Sequence, residues 1–287
     1  IEEVGIAFRD DPVALDLWRA EGANLDGDII RAPADWIRSL CAKAPSKFTQ
    51  IARNPVRSVE IGGDNQVFAP IYGAPFVRDL EGGRRYGDIA SFNDLVRLTY
   101  MLPSLHHGGF VTCEPCDVPV NKRHLDMLLA HMTLSDKPHL GAITEMSRAQ
   151  DSVGMAEIVF GKEVMDANCV IMGNVNTNSP LLVDKVVTEA ARVYSSRGQG
   201  MVVVPFILSG AMGPVSIAAF VAQAMAEAMM VCAYIQLLRP GAPFVLGNFL
   251  SSMSLKSGAP TFGMPEPVIS NYAIGQLARR AGLPLRC

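Results

Sequence analysis

Residues 201–238, MVVVPFILSGAMGPVSIAAFVAQAMAEAMMVCAYIQLL, read as strand, loop and helix. Val202 to Ile207 form a short β-branched and apolar run. The small residues Ser209-Gly210-Ala211-Met212-Gly213 follow, and Pro214 is pre-set for the first turn of a long apolar helix. Arg239-Pro240-Gly241 stops that helix, and a new apolar run begins at Pro243. A strand that is apolar throughout suits a parallel sheet covered on both faces. The loop at the C-terminal end of such a strand is where α/β folds place their ligands.

Working outward from this unit, the same cadence recurs. Strand and helix pairs are expected at 109–114 and 122–133, at 139–144 and 148–160, at 168–174 and 182–197, and at 244–248 and 267–281. A further strand begins at 283–286. Strand starts about 30 to 40 residues apart fit a (β/α)8 barrel, which needs eight units and typically about 250 residues. No glycine-rich dinucleotide fingerprint follows any strand, so the barrel is preferred to a doubly wound sheet. Only five to six units are present, so the barrel is C-terminally incomplete and about three more units are expected beyond Cys287.

Residues 1–88 differ. A helix from Pro12, a tight turn at Asp26-Gly27, a helix over 33–44, and strands at 48–53, 57–61 and 66–70 make an N-terminal α+β extension, with 89–287 as the barrel part. Gly73, Gly82, Gly83 and Gly87 keep the intervening segment irregular, and Ser91 with Asp94 caps the helix that follows.

Composition excludes several classes. The chain has 287 residues, 49% of them hydrophobic, enough for a large core. A net charge of -3 gives no reason to expect nucleic acid or an anionic membrane surface. The six cysteines are scattered and read as reduced, buried thiols of a cytoplasmic protein. Val215 to Leu238 is long enough to span a bilayer. Gln223, Glu227 and Gln236 interrupt it, however, and favour a buried or interface helix, which also points to a homo-oligomer. Ile1 is not followed by a signal-peptide pattern, and the chain is expected to be a piece of a longer product.

In a barrel the functional residues come from the strand ends and the loops after them. Those positions hold Glu114, Glu145, Asn174, Asn176, Asn178, Phe206, Asn248 and Phe249, with Tyr72 as a lid aromatic from the glycine-rich segment. Amides, hydroxyls and apolar groups dominate, and no histidine is among them. The set suits a small polar organic molecule and lacks a hydrolytic triad. Cys113-Glu-Pro-Cys116 is a lone CxxC without a second pair or neighbouring histidines, so no metal site is assigned. Asn174, Asn176 and Asn178 serve either a ligand or the turn backbone. His106 and His107 precede a strand at its N-terminal end and are expected to be structural. No catalytic residue is assigned.

The segments GDIIRAP (27–33), ARNPVRSVEIGG (52–63), DLEGGRRYG (79–87), LSDKPHLGAIT (134–144), NVNTNSPL (174–181), VVPFILSGAMGPVSIAAFVAQAMAEAM (203–229) and GQLARRAGLPLR (275–286) resemble the trimethylamine:corrinoid methyltransferase family. The resemblance runs through nearly the whole chain in order. It implies a (β/α)8 barrel with an N-terminal extension. It also implies methyl transfer from a methylated amine, trimethylamine or a quaternary amine such as glycine betaine, to the Co(I) of a corrinoid (cobalamin) carried by a cognate partner protein. Trimethylamine-specific members carry pyrrolysine in the later barrel, and many relatives lack it. In this setting Phe206, Phe249 and Tyr72 would hold a quaternary ammonium by cation–π contact, Glu145 or Glu114 would balance its charge, and Asn174, Asn176 and Asn248 would orient a carboxylate. Gly210 and Gly213 would keep the barrel mouth open for the corrinoid. A zinc-dependent methyltransferase or lyase using Cys113, Cys116 and Glu114, and a non-catalytic binder of methylated amines, are the alternatives.

Overall fold

A computed structural model describes residues 1–287. In chain order the elements are β1 (Ile6–Phe8), α1 (Pro12–Ala20), β2 (Asn24–Asp26), β3 (Ile29–Arg31), α2 (Ala34–Cys41), β4 (Lys47–Gln50), a 3-10 turn (Pro55–Arg57), β5 (Val59–Gly62), β6 (Phe76–Asp79), β7 (Gly83–Tyr86), α3 (Ile89–Met101), α4 (Arg123–Leu134), β8 (His139–Gly141), α5 (Met146–Phe160) and α6 (Lys162–Ala167). There follow β9 (Ile171–Thr177), β10 (Leu182–Val183), α7 (Lys185–Ser196), β11 (Gly200–Ser209), α8 (Ile217–Leu238), β12 (Phe244–Gly247), β13 (Phe249–Ser252), α9 (Pro265–Ala281) and β14 (Leu285–Arg286). Two compact units arise. The first holds Ile1–Lys47, Asn174–Ser196 and Gly200–Cys287, and the second Phe48–Gly173 and Arg197–Gln199.

In the first unit β11 is the longest strand, and its Val202, Val203 and Val204 are buried, as an all-apolar strand covered on both faces must be. It pairs in parallel with β12 (Met201↔Phe244) and, in the same register, with β13 (Phe206↔Phe249). β12 in turn pairs in parallel with β14. The apolar run expected to end at Asn248 therefore continues to Ser252, with Asn248 at the break, where its N–H donates to the Arg286 carbonyl. A separate sheet in the order β10-β1-β3-β2 joins the tight hairpin over Asp26-Gly27 to Leu182–Val183. The architecture is mixed α/β with parallel strands, and no closed barrel is formed.

The helix α8 begins at Ile217, capped at Ser216, three residues after Pro214. The delay has a local cause. Gly210 N–H donates to Gly213 O, Ala211 and Met212 N–H donate to Leu208 O, and Ser209 Oγ donates to Val215 O, so a tight turn holds the chain out of helix until then. α8 has the length and hydropathy of a membrane span, and 56% of that window is buried inside the protein. It packs against α2, α7, α9 and β11. Each of its three polar interruptions has partners. Gln236 donates to Ala242 O (3.0 Å) and accepts from Gly241 N (2.8 Å), closing the helix end. Gln223 and Glu227 bond to each other and to the loops above β9 and β11. Unpaired, a buried amide or carboxylate costs several kcal/mol, so these contacts are what makes the sequence tolerable in a core.

Around α1 the aromatic rings of Phe8, Trp18, Trp36 and Tyr234 meet edge-on, with centroids 5.7–6.0 Å apart. Asp11, buried at the α1 N-cap, accepts from Ala14 N, Thr188 Oγ1 and Arg192, and Arg192 also donates to Tyr234 Oη at 2.8 Å.

The second unit contains the two-stranded sheet β4–β5, the hairpin β6–β7, the helices α3 to α6, and the parallel pair of β8 with the first three residues of β9 (His139↔Ile171). Four expectations are corrected here. The strand expected at 109–114 does not form: Gly109 has φ +68°, Thr112 N–H turns back to Phe110 O, and Pro115 has no N–H to give a ladder. One bond, from Leu140 N to Gly109 O, is all that it contributes beside β8. Residues 66–70 also form no strand, whereas the segment expected to be irregular holds the β6–β7 hairpin. The cap of α3 is Asp88, whose carboxylate accepts from Ser91 N at 2.7 Å, rather than Ser91. The strand that does not form at 109–114 and the β6–β7 hairpin share a physical reason. Glycines in a strand sequence mark turns and close approaches as readily as they break strands, and only pairing partners distant in sequence decide which.

Buried amides hold this second unit together. Gln50 donates to His139 O (2.9 Å) and Val170 O (3.3 Å), and its Oε1 meets His107 Nε2 at 3.0 Å. Gln199 accepts from Val170 N and Ile171 N and donates to Met165 O, Asn168 O and Arg197 O.

Candidate functional site

A cavity of about 670 Å³ opens in the first unit. Its walls come from three places: Ala7 and Arg9 at the end of β1, residues 176–182 from the last residues of β9 to the first of β10, and Phe206 with Met212 at the end of β11. It therefore lies at the C-terminal ends of two parallel-sheet strands, where open α/β sheets leave a crevice.

The asparagine-rich loop is shaped from within. Asn178 N–H donates to Leu182 O, and its Oδ1 accepts from Asp184 N at 3.3 Å, so Asn178 serves the turn backbone. Asn176 is exposed and faces the cavity. Leu181 holds φ +55°, a conformation that favours glycine, and its N–H donates to Glu227 Oε1 at 2.9 Å. Thr177 Oγ1 and Ser179 Oγ each donate to Glu227 Oε2 at 2.6 Å. Gln223 Nε2 donates to Glu227 Oε1 at 2.9 Å and to the Met212 carbonyl at 3.1 Å. One fully buried carboxylate thus ties the loop after β9 to α8, and the neighbouring glutamine ties in the turn after β11.

Next to the cavity the rings of Phe206 and Phe249 lie 5.0 Å apart, as their parallel register dictates, and Phe249 stacks on Phe262 at 5.2 Å. Phe249 and Phe262 are 46% and 52% exposed, an uncommon state for such rings. Asn174 and Asn248 are buried, and the Oδ1 of each lacks a hydrogen-bond partner within the protein; Asn248 Nδ2 donates to Asn271 Oδ1. A buried amide oxygen left open in this way is a ready acceptor for a water or ligand donor.

The sequence-predicted residues therefore divide. Phe206, Asn176 and Asn178 line the cavity, and Phe249 reaches it through Phe206. Asn174 and Asn248 belong to the same unit but not to the cavity wall. Tyr72, Glu114 and Glu145 lie in the second unit, where Glu114 is paired to Arg123 (2.7 Å) and Glu145 is exposed and paired to Arg148 (2.8 Å). Glu227, Arg9 and Phe262 were not among the expected site residues. The signal for Glu227 was present, because Gln223 and Glu227 are four residues apart and hence on one face of an otherwise apolar helix. Arg9 gave none, since only the β1–β10 pairing brings it to the loop.

The CxxC pair is not symmetric. Cys113 is buried, and burial, helped by the nearby charges of Asp88, Cys116 and Glu114, pushes its thiol up to about 11. Cys116 and Cys287 are exposed, which corrects the expectation that all six cysteines are buried. No three His, Cys, Asp or Glu side chains come together to hold a metal ion. Iodoacetamide at pH 8 is expected to label Cys116 at least tenfold faster than Cys113, read by peptide mass spectrometry; equal rates would contradict the burial of Cys113. The two glycines of the β11–α8 turn also differ. A Cβ at Gly213 would meet Ile207 Cγ2 at 2.8 Å and Gln223 Oε1 at 2.9 Å, so its smallness serves packing and not an open mouth. Gly210 has room but φ +82°.

Comparison with known proteins is consistent across the chain. The family described as trimethylamine methyltransferase (MTTB) matches residues 1–287. A glycine betaine methyltransferase of Desulfitobacterium hafniense (strain Y51) is 35% identical over 287 residues, which is the whole of this chain and 60% of the relative. A proline betaine:corrinoid methyltransferase of Eubacterium limosum is 24% identical over 304 residues, again covering the whole chain and 60% of the relative. The chain thus spans about 60% of the length of both relatives.

Proposed function

This chain belongs to the trimethylamine methyltransferase family, and we propose that the protein transfers a methyl group from a quaternary amine of the betaine class to a corrinoid carried by a cognate partner protein. Its two relatives are named for glycine betaine and proline betaine, both quaternary amines bearing a carboxylate. The observation that carries the reading is the make-up of the cavity. Phe206 offers an aromatic face, Asn176 an amide and Arg9 a guanidinium at the exposed edge, with no nucleophile–base pair among the lining residues. Cation–π contact suits an N-methylated head, and Arg9 suits the carboxylate at the other end. Arg9 is only loosely engaged, 3.7 Å from Asp28, and can turn to a ligand at little cost.

The chemistry asks little acid–base work of the protein. One N–CH3 bond breaks, the electron pair stays on nitrogen, and the amine departs neutral. The corrinoid supplies the nucleophile when its carrier protein docks. The chain's own task is to bind the cation, orient one methyl outward and keep water away. In this reading Asn176 supplies an amide contact, Phe249 extends the aromatic face, Asn178 shapes the loop, and Asn174 and Asn248, outside the cavity wall, keep only their sequence-based candidacy. Tyr72, Glu114 and Glu145 keep only their sequence-based candidacy. The parallel strands are read as part of a (β/α)8 barrel with residues 1–88 as its extension.

The test incubates the full-length protein with reduced corrinoid protein and a panel of methylated amines, following methylcobalamin by its absorbance. Methylation with betaines is expected. No methylation with any donor would overturn the reading, and binding without turnover would point instead to a non-catalytic role. Phe206→Ala is expected to raise the Kd for the active betaine by about 2- to 30-fold, corresponding to a cation–π contact of about 0.5–2 kcal/mol. An unchanged Kd by calorimetry would remove Phe206 from the site.

A further inference from the structure

Glu227 is an acidic side chain with no cationic partner. It is fully buried near the middle of α8, no lysine, arginine or histidine pairs with it, and its oxygens accept only from Thr177, Ser179, Leu181 N and Gln223. Three of those four donors line the cavity, and the fourth also holds the Met212 carbonyl, whose residue lines it too. The charge therefore sits one hydrogen bond behind the cavity wall.

We propose that Glu227 is the residue that makes this cavity selective for cations, with the aromatic face of Phe206 giving shape and the Glu227 carboxylate giving sign. The proposal rests on the methylated-amine reading and deepens it. Hydroxyl and amide dipoles oriented by the carboxylate present their oxygen side, or negative end, to the cavity. Within a poorly solvated wall a fixed charge is screened far less than at the surface, so its field reaches a ligand across one side chain. Arg9 is the opposing charge, but its side chain is more than half exposed and lies near Asp28, so solvent and that carboxylate screen it. The resulting polarity, negative behind the loop and positive at the rim, suits a zwitterion whose ammonium enters first. Glu227 does not touch the reacting atoms and is a positioning and charge-setting residue.

The test compares ligands that differ only in charge. Glycine betaine and 3,3-dimethylbutanoate share one shape, with nitrogen replaced by carbon, as do choline and 3,3-dimethylbutan-1-ol. Dissociation constants for both pairs are measured by calorimetry on the full-length protein and on Glu227→Gln. Glutamine can keep all four contacts, accepting from Leu181 N and Gln223 while its amide donates to the two hydroxyls, which are free to rotate. The wild type is expected to prefer the ammonium member of each pair by at least about tenfold. In E227Q that preference is expected to fall about tenfold in each pair, with the Kd of the neutral 3,3-dimethylbutan-1-ol changed by less than about twofold. An unchanged preference in a folded E227Q overturns the proposal, and so does equal weakening of both members, which is what loss of loop order alone would give. If the wild type binds neither member of either pair, the methylated-amine reading fails first and this inference with it. Should E227Q fail to fold, Gln223→Lys sets a cation beside the carboxylate and leaves Glu227 in place. The same compression is expected there, and a preserved preference overturns the proposal.

Discussion

Lowering the pH from 7 to 5 is expected to remove about 4 kcal/mol of stability from the unit that contains His107, His131 and His139. All three imidazoles are buried. His131 stacks on His139 with centroids 5.3 Å apart, and it also meets the rings of Phe92 and Phe110. Burial, reinforced by the neighbouring His139, drives His107 and His131 down to about 3, and His139 is lowered by burial with Arg53 adding to the effect. The hydrogen bonds are those of neutral rings: His107 Nδ1 accepts from Gly109 N, its Nε2 donates to Gln50 Oε1, and His131 Nε2 donates to Phe110 O. A histidine lowered in the folded state binds its proton more readily when unfolded, near 6.5. Its contribution is therefore complete above about pH 6.5 and is lost as the pH falls toward 3. At pH 5 each of the two best-defined groups is about 1.5 pH units into that window, or about 2 kcal/mol. His139 acts in the same direction. Both tryptophans lie in the other unit, so the measurement is amide hydrogen exchange at Leu140 and Ile171 at pH 7 and 5, corrected for the intrinsic rate. Protection independent of pH over that range would refute the prediction.

Asp11→Ala is expected to cost about 3 kcal/mol, lowering Tm by about 6–12 °C. Burial raises the Asp11 carboxyl, but hydrogen bonds from Arg192 and Thr188 outweigh it and hold the group below the usual carboxylate range. Removing it strands a largely buried guanidinium against Tyr234, whose hydroxyl burial pushes up to about 12 and which cannot take over the charge. It also strips the cap from α1 and one anchor between α1 and α7. Trp18, packed on Phe8 just beyond, gives the fluorescence readout. A Tm loss under 2 °C would show that the pair contributes little.

Much of the helical scaffold was legible because it depends on local periodicity. Helices α1, α2, α4, α5, α8 and α9 stand within a few residues of their expected places. β11 and β12 were readable from all-apolar runs. What failed depended on long-range pairing. The coil at 109–114 has the composition of a strand, and the β6–β7 hairpin is hidden among glycines. The site behaved similarly. Phe206 and the asparagine loop follow from their position at strand ends, whereas Arg9 enters through a pairing between residues 7 and 182, which no local pattern contains. Glu227 was visible only as a flaw in an apolar helix, because its partners are Thr177, Ser179 and Leu181, far away in sequence.

The place of Glu227 within α8 has a consequence during synthesis. The helix from Ile217 to Leu238 has the length and hydropathy that membrane-insertion machinery reads in a nascent chain before it folds. A charged residue costs most at the centre of such a segment, about 2.5–3.5 kcal/mol, and Glu227 stands almost at its midpoint. The carboxylate that ties the cavity loop in the finished protein thus also marks the nascent segment as one to be left in water. An apolar residue at 227 would remove both signals at once.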